Sequence, residues 1–127
     1  MTLVLSLFPG IGLLDSAFEA EGFCVVRGPD LLWGGEIERF HPPPSKFDGV
    51  IGGPPCQVHS RAAWLRAGKQ YRARNLIPEF ERCVSEARPR WWLMECTTLA
   101  PPPIIAGYVA NRLVLDNRWF GAVQRRR

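Results

Sequence analysis

A cysteine on a rigid turn is the residue of this sequence best placed for a functional role. The stretch from Phe47 to Gln57 runs through an apolar, strand-like segment into two glycines, two prolines and then Cys56. Consecutive prolines have a fixed φ and no amide donor, so the turn that carries the thiol has little freedom. A free cysteine is usually a buried residue that behaves as a hydrophobe. Cys56, however, comes shortly after a predicted strand, and ligands of open α/β sheets bind just past the carboxyl ends of the strands. The context therefore favours a functional thiol.

A carboxylate stands at the corresponding place after a second strand-like segment. The residues Trp91–Met94 predict another buried strand, and Glu95 follows it directly. Because the carboxyl ends of parallel strands meet at one edge of a sheet, we expect Glu95 to lie near Cys56. Such a carboxylate is more often a paired surface group, but a place beside a functional thiol favours a role in the site.

The start of the chain predicts the elements that would position these groups. Leu3–Phe8 is almost continuously apolar, which is typical of a parallel strand covered on both faces. Pro9–Gly12 interrupts it, Gly22 is placed to end the following helix, and residues 23–26 predict a second strand. The helix is predicted from an apolar stripe that faces away from three polar residues: Leu13, Leu14, Ala17 and Phe18 against Asp15, Ser16 and Glu19.

The glycine turn Gly10–Gly12 could receive the polar groups of a ligand, because free amides and the helix dipole point towards it. A plain tight turn would have the same sequence. Asp15 occupies the third glycine position of the dinucleotide fingerprint, so NAD and flavin are disfavoured, while a smaller nucleoside cofactor remains open. Asp30 and Glu36 in the following loop could accept hydrogen bonds from an adenine amine or a ribose hydroxyl, although each is more simply a surface charge.

The remaining segments predict one further helix and one outer strand. Asn75 is expected to cap a helix that ends before Pro89 and has Cys83 on its core-facing side. Residues 109–119 mix apolar and polar side chains as an outer strand does. Residues 58–74 are basic and include two aromatic side chains, a composition that suits contact with nucleic acid.

Length, charge and cysteine content favour one metal-free domain in a reducing compartment. A chain of 127 residues can form a single core. Its 16 lysines and arginines exceed its 12 aspartates and glutamates, for a formal charge of +4 that leans towards an anionic partner. The four cysteines are too scattered and the two histidines too few for a zinc site. With neither a basic leader nor a membrane-length apolar run, we expect a cytoplasmic protein.

Four motifs, in order and spanning nearly the whole chain, resemble those of the DNA cytosine-5 methyltransferases that use S-adenosylmethionine. Leu7–Gly12 resembles the Phe-x-Gly-x-Gly cofactor turn of that family, and Gly53–Gln57 resembles its Pro-Cys-Gln motif. Met94–Cys96 lies where the family has Glu-Asn-Val, and Gln124–Arg126 resembles the start of Gln-x-Arg-x-Arg. The long basic segment and the short second half look most like phage-type members.

The resemblance implies an α/β, Rossmann-like S-adenosylmethionine-dependent methyltransferase fold with a mostly parallel sheet and an incomplete C-terminal part. Residues 1–127 would form a partial catalytic, cofactor-binding domain without a target-recognition domain. Cys56 would be the nucleophile, Glu95 would hold the base, and Arg126 would stabilise the ring oxygen. The implied cofactor-binding residues are Phe8, Gly10, Ile11, Gly12, Glu36, Ile37, Pro55 and Leu76.

The implied reaction takes place on a cytosine flipped out of double-stranded DNA. The Cys56 thiolate would add to carbon 6, which activates carbon 5 to accept the methyl group, while Glu95 hydrogen-bonds the ring nitrogen and the exocyclic amine. Because the sequence stops before the family's target-recognition region, a missing C-terminal half is an expected partner besides DNA.

Departures from the family motifs leave alternatives. Ser6, Leu13 and Glu36 stand where the family often has an acid, a third glycine and an aspartate, and Cys96 replaces the asparagine after the catalytic glutamate. A catalytically incompetent fragment that binds cofactor or DNA, and half of a split enzyme, are therefore alternatives. An RNA cytosine-5 methyltransferase is disfavoured because its nucleophile typically lies in a different motif, and the Cys-Gln pair disfavours an adenine-amine methyltransferase.

Overall fold

A four-stranded parallel sheet is the centre of the computed structural model, which describes residues 1–55 and 74–121. The strands lie in the order β2-β1-β3-β4, and all three neighbouring pairs are parallel. This arrangement confirms the predicted α/β, Rossmann-like architecture. The strands are β1 (Leu3–Leu7), β2 (Cys24–Arg27), β3 (Gly49–Gly52) and β4 (Trp91–Met94).

Two α-helices flank the sheet in the described part of the chain. The first, α1 (Leu13–Ala20), connects β1 to β2, so the predicted βαβ unit is confirmed. Gly22 follows its end with φ of +86°, a left-handed conformation that glycine adopts without strain. The second, α2 (Ile77–Ala87), lies between β3 and β4 along the chain. Within residues 1–55 and 74–121 there are also three 3-10 turns: Leu31–Trp33, Ile37–Arg39 and Asn117–Phe120.

The start of α2 differs slightly from the prediction. Leu76, rather than Asn75, is the N-cap residue, with φ of −103° and ψ of 8°. The Asn75 side chain still accepts a hydrogen bond from the Ile77 N–H at 3.2 Å, so it satisfies one of the free amides of the first turn from one position further out. Pro78 is tolerated there because the first-turn amides lack helical partners.

The main core lies between the sheet and α2. Buried side chains of β1 and β3 pack against the buried side of the helix, and Cys83 is fully buried as expected. Burial raises the pKa of Cys83 to about 11, so this thiol stays neutral and is not a candidate nucleophile. The cluster comprises Leu5, Leu7, Ile37, Val50, Phe80, Cys83, Val84, Ala87 and Ile105.

An aromatic cluster covers part of the opposite face of the sheet. The rings of Phe18 and Trp91 are stacked with their centroids 6.0 Å apart, and Phe23 meets both of them edge-on. Trp91 lies directly over Gly49 in the neighbouring strand β3, where a Cβ atom would be only 2.2 Å from the indole ring. The absence of a side chain at Gly49 therefore makes room for the ring.

The predicted burial of α1 and β4 is wrong in part. Asp15, assigned to the polar side of α1, is completely buried, while Leu13 is 75% exposed. The reason is that Ser6 and Arg27 surround the Asp15 carboxylate with polar partners. In β4, Leu93 is 41% exposed; among the described strands β4 pairs only with β3, so it is an edge strand and has fewer neighbours to cover its side chains.

The predicted outer strand in residues 109–119 is also wrong. Residues 109–115 have no regular structure, and a 3-10 turn begins at Asn117. Asp116 accepts a hydrogen bond from the Arg118 N–H at 3.0 Å and forms an ion pair with the Arg118 guanidinium at 2.7 Å. Asp116 also forms an isolated β-bridge, so strand-type pairing among residues 109–119 is confined to this one position. None of the described helices has the length and apolar character needed to cross a membrane.

Candidate active site

Three segments that the sequence singles out meet at one cavity of about 240 Å³ at the carboxyl ends of the strands. The turn after β1 contributes Phe8 and Ile11, the turn after β3 contributes Gly53, and the end of β4 contributes Glu95. The sequence predicts that Glu95 lies near Cys56; Cys56 is outside the described residues, but Gly53, which leads into its turn, and Glu95 border the same cavity at this edge of the sheet. Ligands of open α/β sheets bind at such an edge.

The position of Glu95 is fixed by the sheet. Its N–H donates to the Gly52 carbonyl at 2.9 Å, which continues the pairing of β4 with β3 by one residue. One oxygen of its carboxylate would be 3.5 Å from a Cβ atom on Gly53, so the side chain lies against the backbone that leads into the double-proline turn. Glu95 also borders a larger groove of about 680 Å³ formed by β4 and residues 96–115.

The double-proline turn is described up to its second proline. Pro54 is buried and Pro55 is exposed, so the turn is anchored by one ring and open at the other. Cys56 and Arg126 lie outside the described residues, and their roles stay predictions. The described range contains no cluster of three or more histidine, cysteine or acidic residues that could hold a metal ion.

The glycine turn has an unusual backbone. Phe8, Gly10 and Gly12 all have positive φ, at +56°, +53° and +80°. Glycine adopts this region readily, but for phenylalanine it is strained, and such strain concentrates at functional sites. The Gly12 N–H donates to the Pro9 carbonyl at 2.8 Å, and the Gly10 N–H donates to Asp30 Oδ2 at 2.8 Å. Asp30, left undecided by the sequence, thus ties the loop after β2 to the glycine turn.

Of the predicted cofactor residues only Phe8 and Ile11 line the 240 Å³ cavity; Gly10, Gly12 and Pro55 belong to the turns beside it, and Glu36, Ile37 and Leu76 are not in its lining either. Ile37 is 5% exposed and belongs to the core beneath α2, and the half-buried Leu76 packs against the same core. Glu36 is exposed and pairs with Arg39 at 2.9 Å. Phe8 borders the cavity and also packs against the core cluster, so it connects the two groups of predicted residues.

Arg82 on α2 positions the loop that carries Glu36 and Ile37, a role that the sequence did not suggest. Its guanidinium donates to the backbone carbonyls of Ile37 at 2.8 Å and Phe40 at 3.0 Å. Glu79 and Glu86 hold the same guanidinium through ion pairs of 2.8 and 2.9 Å. The only sequence signal is the spacing of these three charges along one side of the helix.

Acidification is expected to weaken this attachment through Glu86. Burial alone would raise the pKa of Glu86, but hydrogen bonds from Arg82 and His41 lower it below its ordinary value. A carboxylate whose pKa is lower in the folded than in the unfolded state stabilises the protein at pH values above its unfolded-state pKa. This contribution disappears as the pH falls through its folded-state pKa. We expect Glu86→Gln to reduce the free energy of unfolding by about 1 kcal/mol at pH 7 and by much less at pH 3.

Urea unfolding at the two pH values measures this difference. Glu19→Gln, on the exposed side of α1, controls for the loss of one negative charge. An equal effect of Glu86→Gln at both pH values would contradict the expectation.

Comparisons with known proteins show which family the chain resembles. Residues 34–97, half of the chain, match the model of the C-5 cytosine-specific DNA methylase family. The chain is 30% identical to the type II methyltransferase M.NgoPII of Neisseria gonorrhoeae over 86% of its own length and 35% of the relative's. It is 33% identical to M.FnuDI of Fusobacterium nucleatum, over 72% of this chain and 31% of that protein.

A third relative, the type II methyltransferase M.AquIA of Picosynechococcus, is 33% identical over 72% of this chain and 47% of its own length. The chain thus spans between about a third and a half of these curated relatives. No solved structure is significantly similar to it. From the family match, the relatives and the parallel sheet with its glycine turn, we conclude that the chain belongs to the C-5 cytosine-specific DNA methylase family.

Proposed function

We propose that this chain is the cofactor-binding and nucleophile-bearing part of an enzyme that methylates carbon 5 of cytosine in double-stranded DNA. Residues 1–127 would form a partial catalytic domain, with target recognition supplied by a C-terminal half. The observation that carries the proposal is the cavity shared by the glycine turn, the entrance to the Cys56 turn and Glu95. The family match and the names of the type II relatives support the same activity.

The residues around the glycine turn fit S-adenosylmethionine as the cofactor. Phe8 and the exposed Ile11 offer apolar surface beside a cavity that Glu95 also borders. A cavity of this kind suits a ligand with apolar and charged parts. Gly10, Gly12 and Pro55, in the turns beside this cavity, would contact the cofactor beyond the present lining, and Glu36, Ile37 and Leu76 would form a more distant wall. When bound, the cofactor supplies an electrophilic methyl group.

The chain's own residues would make the cytosine reactive. Carbon 5 is a poor nucleophile until the Cys56 thiolate adds to carbon 6, which gives carbon 5 enamine character. Glu95 would hold the ring nitrogen and the exocyclic amine and supply a proton as charge develops on the ring, and Arg126 would stabilise the ring oxygen. Loss of the carbon 5 proton and of the cysteine would restore the aromatic ring and the free thiol.

The DNA would be bound with the target base flipped into the site, because carbons 5 and 6 are inaccessible in a stacked duplex. The basic segment of residues 58–74 would contact the phosphate backbone. Of that segment the structure describes only Arg74, which pairs with Glu38. A cytoplasmic location, where DNA and the cofactor are both present, would suit this activity.

A duplex that contains 5-fluorocytosine tests the proposal, because fluorine at carbon 5 blocks the final elimination and traps the cysteine adduct. The chain is incubated with labelled S-adenosylmethionine, alone and with the C-terminal half of a type II relative as a second chain. A denaturing gel should show a labelled protein–DNA adduct in at least one of these mixtures. A duplex with ordinary cytosine is the control.

The alternatives give different results in the same assay. An adduct only with the added half would identify the chain as half of a split enzyme. Binding of S-adenosylmethionine in calorimetry without an adduct in either mixture would identify a binding fragment and overturn the catalytic proposal. Adducts with transfer RNA but not with DNA would identify an RNA methyltransferase instead.

A further inference from the structure

A buried charged network lies directly beneath the glycine turn. The Asp15 side chain on α1 is completely buried. The Ser6 hydroxyl on β1 donates to Asp15 Oδ1 at 2.5 Å, and the Arg27 Nε at the end of β2 lies 3.0 Å from Oδ2. This second contact is an ion pair that lacks hydrogen-bond geometry. One carboxylate therefore joins β1, α1 and β2, the three elements that meet at the turn.

Arg27 also packs against the turn itself. A Cβ atom on Gly12 would lie 2.7 Å from Nη2 and 3.1 Å from Cζ of Arg27, so the guanidinium rests on the bare Cα of this glycine. Gly12 is the left-handed residue that opens α1, with φ of +80°. The guanidinium thus restricts the backbone of the turn from the side of β2, while Asp15 holds the guanidinium in place.

This network is not explained by stability alone. Burying a carboxylate has a large desolvation cost, which an ion pair offsets only when the geometry is good. Here the Arg27 side chain is 49% exposed, and one Asp15 oxygen has no hydrogen bond. An apolar residue at position 15 would extend the packing of α1 without that cost. The benefit we infer is therefore the geometry of the turn.

We propose that Ser6, Asp15 and Arg27 form a positioning network that holds the glycine turn in its cofactor-binding conformation before the cofactor arrives. The proposal rests on the proposed function, in which that turn binds S-adenosylmethionine. The apparent Kd of a ligand rises by the inverse of the fraction of molecules that are competent to bind. Arg27 lies outside the described lining of the 240 Å³ cavity, so its loss should act through the turn.

Arg27→Met tests this role, with Arg27→Lys as the conservative variant. Phe23→Leu is the matched control, because Phe23 packs at the opposite end of β2 against Phe18 and Trp91 and its loss destabilises the fold without touching the turn. Calorimetry measures the Kd for S-adenosylmethionine well below the melting temperature. Hydrogen exchange of residues 8–14 in the ligand-free chain reports on the turn directly.

Arg27→Met is expected to raise the Kd about tenfold, as it would if the competent fraction fell to about a tenth, and to speed exchange in residues 8–14. Arg27→Lys should give a smaller change of both, since it keeps the charge without the planar guanidinium. Phe23→Leu should lower the melting temperature and leave Kd and local exchange unchanged.

The proposal is overturned if Arg27→Met has the same Kd and the same exchange rates as the wild type. It is also overturned if Phe23→Leu raises the Kd as much as Arg27→Met does. If the wild-type chain binds no S-adenosylmethionine, the proposed cofactor is wrong, and the exchange of residues 8–14 still decides whether Arg27 holds the turn. If Arg27→Met does not fold, Ser6→Ala removes the hydrogen bond to Asp15; because Ser6 also lines the cavity, this variant is judged by the exchange of residues 8–14 alone, and wild-type exchange would overturn the network.

Discussion

Replacing Cys56 with alanine is expected to abolish the adduct with 5-fluorocytosine DNA and to leave the affinity for S-adenosylmethionine close to that of the wild type. The covalent step requires a thiolate, and alanine offers no nucleophile. The measurement is the labelled adduct on a denaturing gel, under the conditions in which the wild-type chain forms it, together with calorimetry of cofactor binding.

Cys24→Ala provides the matched control, because it removes a half-buried thiol from β2. This variant should still form the adduct. If Cys56→Ala forms the adduct as well, another residue is the nucleophile and the proposed mechanism is wrong. Cys83 would not be that residue, because it is fully buried and its pKa is raised.

Glu95→Gln separates the role of the carboxylate from that of the thiol. The amide keeps the size of the side chain and its place against Gly53, but it cannot donate a proton to the ring as charge develops. We expect a rate of methyl transfer about 10²- to 10³-fold lower in single-turnover assays, with cofactor affinity unchanged. Glu19→Gln is the control, and an unaltered rate in Glu95→Gln would remove this residue from the mechanism.

The sheet and the place of the site could be predicted because both follow from local patterns. The continuous apolar run at the start of the chain gave β1 to within one residue, and Trp91–Met94 forms β4 as predicted. The glycines of the first turn adopt the left-handed backbone that a tight strand–helix junction needs. Once the strands are parallel, their carboxyl ends must share one edge, so Gly53 and Glu95 meet.

The contacts of the charged groups around the candidate site could not be predicted in this way. The burial of Asp15 depends on Ser6, nine residues earlier, and on Arg27 in another strand. Arg82 contacts carbonyls 42 and 45 residues away in sequence. A helical pattern ranks residues by polarity alone, so it assigns a buried ion pair to the solvent side. For residues 109–119 the strand prediction was wrong as well, because the mixture of apolar and polar residues did not indicate that pairing is confined to a single bridge at Asp116.

Gly49→Ala is expected to lower the free energy of unfolding by about 1–3 kcal/mol, although alanine is ordinarily the better residue in a regular element. Two effects oppose each other. The loss of unfolded-state freedom should stabilise the variant by about 0.4–1 kcal/mol. The new Cβ, however, would lie 2.2 Å from Trp91 Cζ2 and 2.5 Å from two further ring atoms, and overpacking of a core typically costs about 1–3 kcal/mol or more.

The steric effect should dominate because Trp91 cannot move aside freely. Its ring is stacked on Phe18 and meets Phe23 edge-on, so a shift of the indole disrupts the whole cluster. Gly107→Ala separates this collision from a simple backbone effect. Gly107 has φ of +86° and nothing within 4 Å of its missing Cβ, so alanine there should cost only the left-handed strain of about 1–2 kcal/mol.

A double-mutant cycle with Trp91→Leu tests the cause. Leucine leaves room for the new methyl group, so Gly49→Ala should cost much less in the Trp91→Leu background than in the wild type. Urea unfolding of the four proteins gives the coupling energy between the two sites. If the two substitutions are simply additive, the indole ring is not what keeps position 49 a glycine, and the close packing of Trp91 on β3 would not account for the loss.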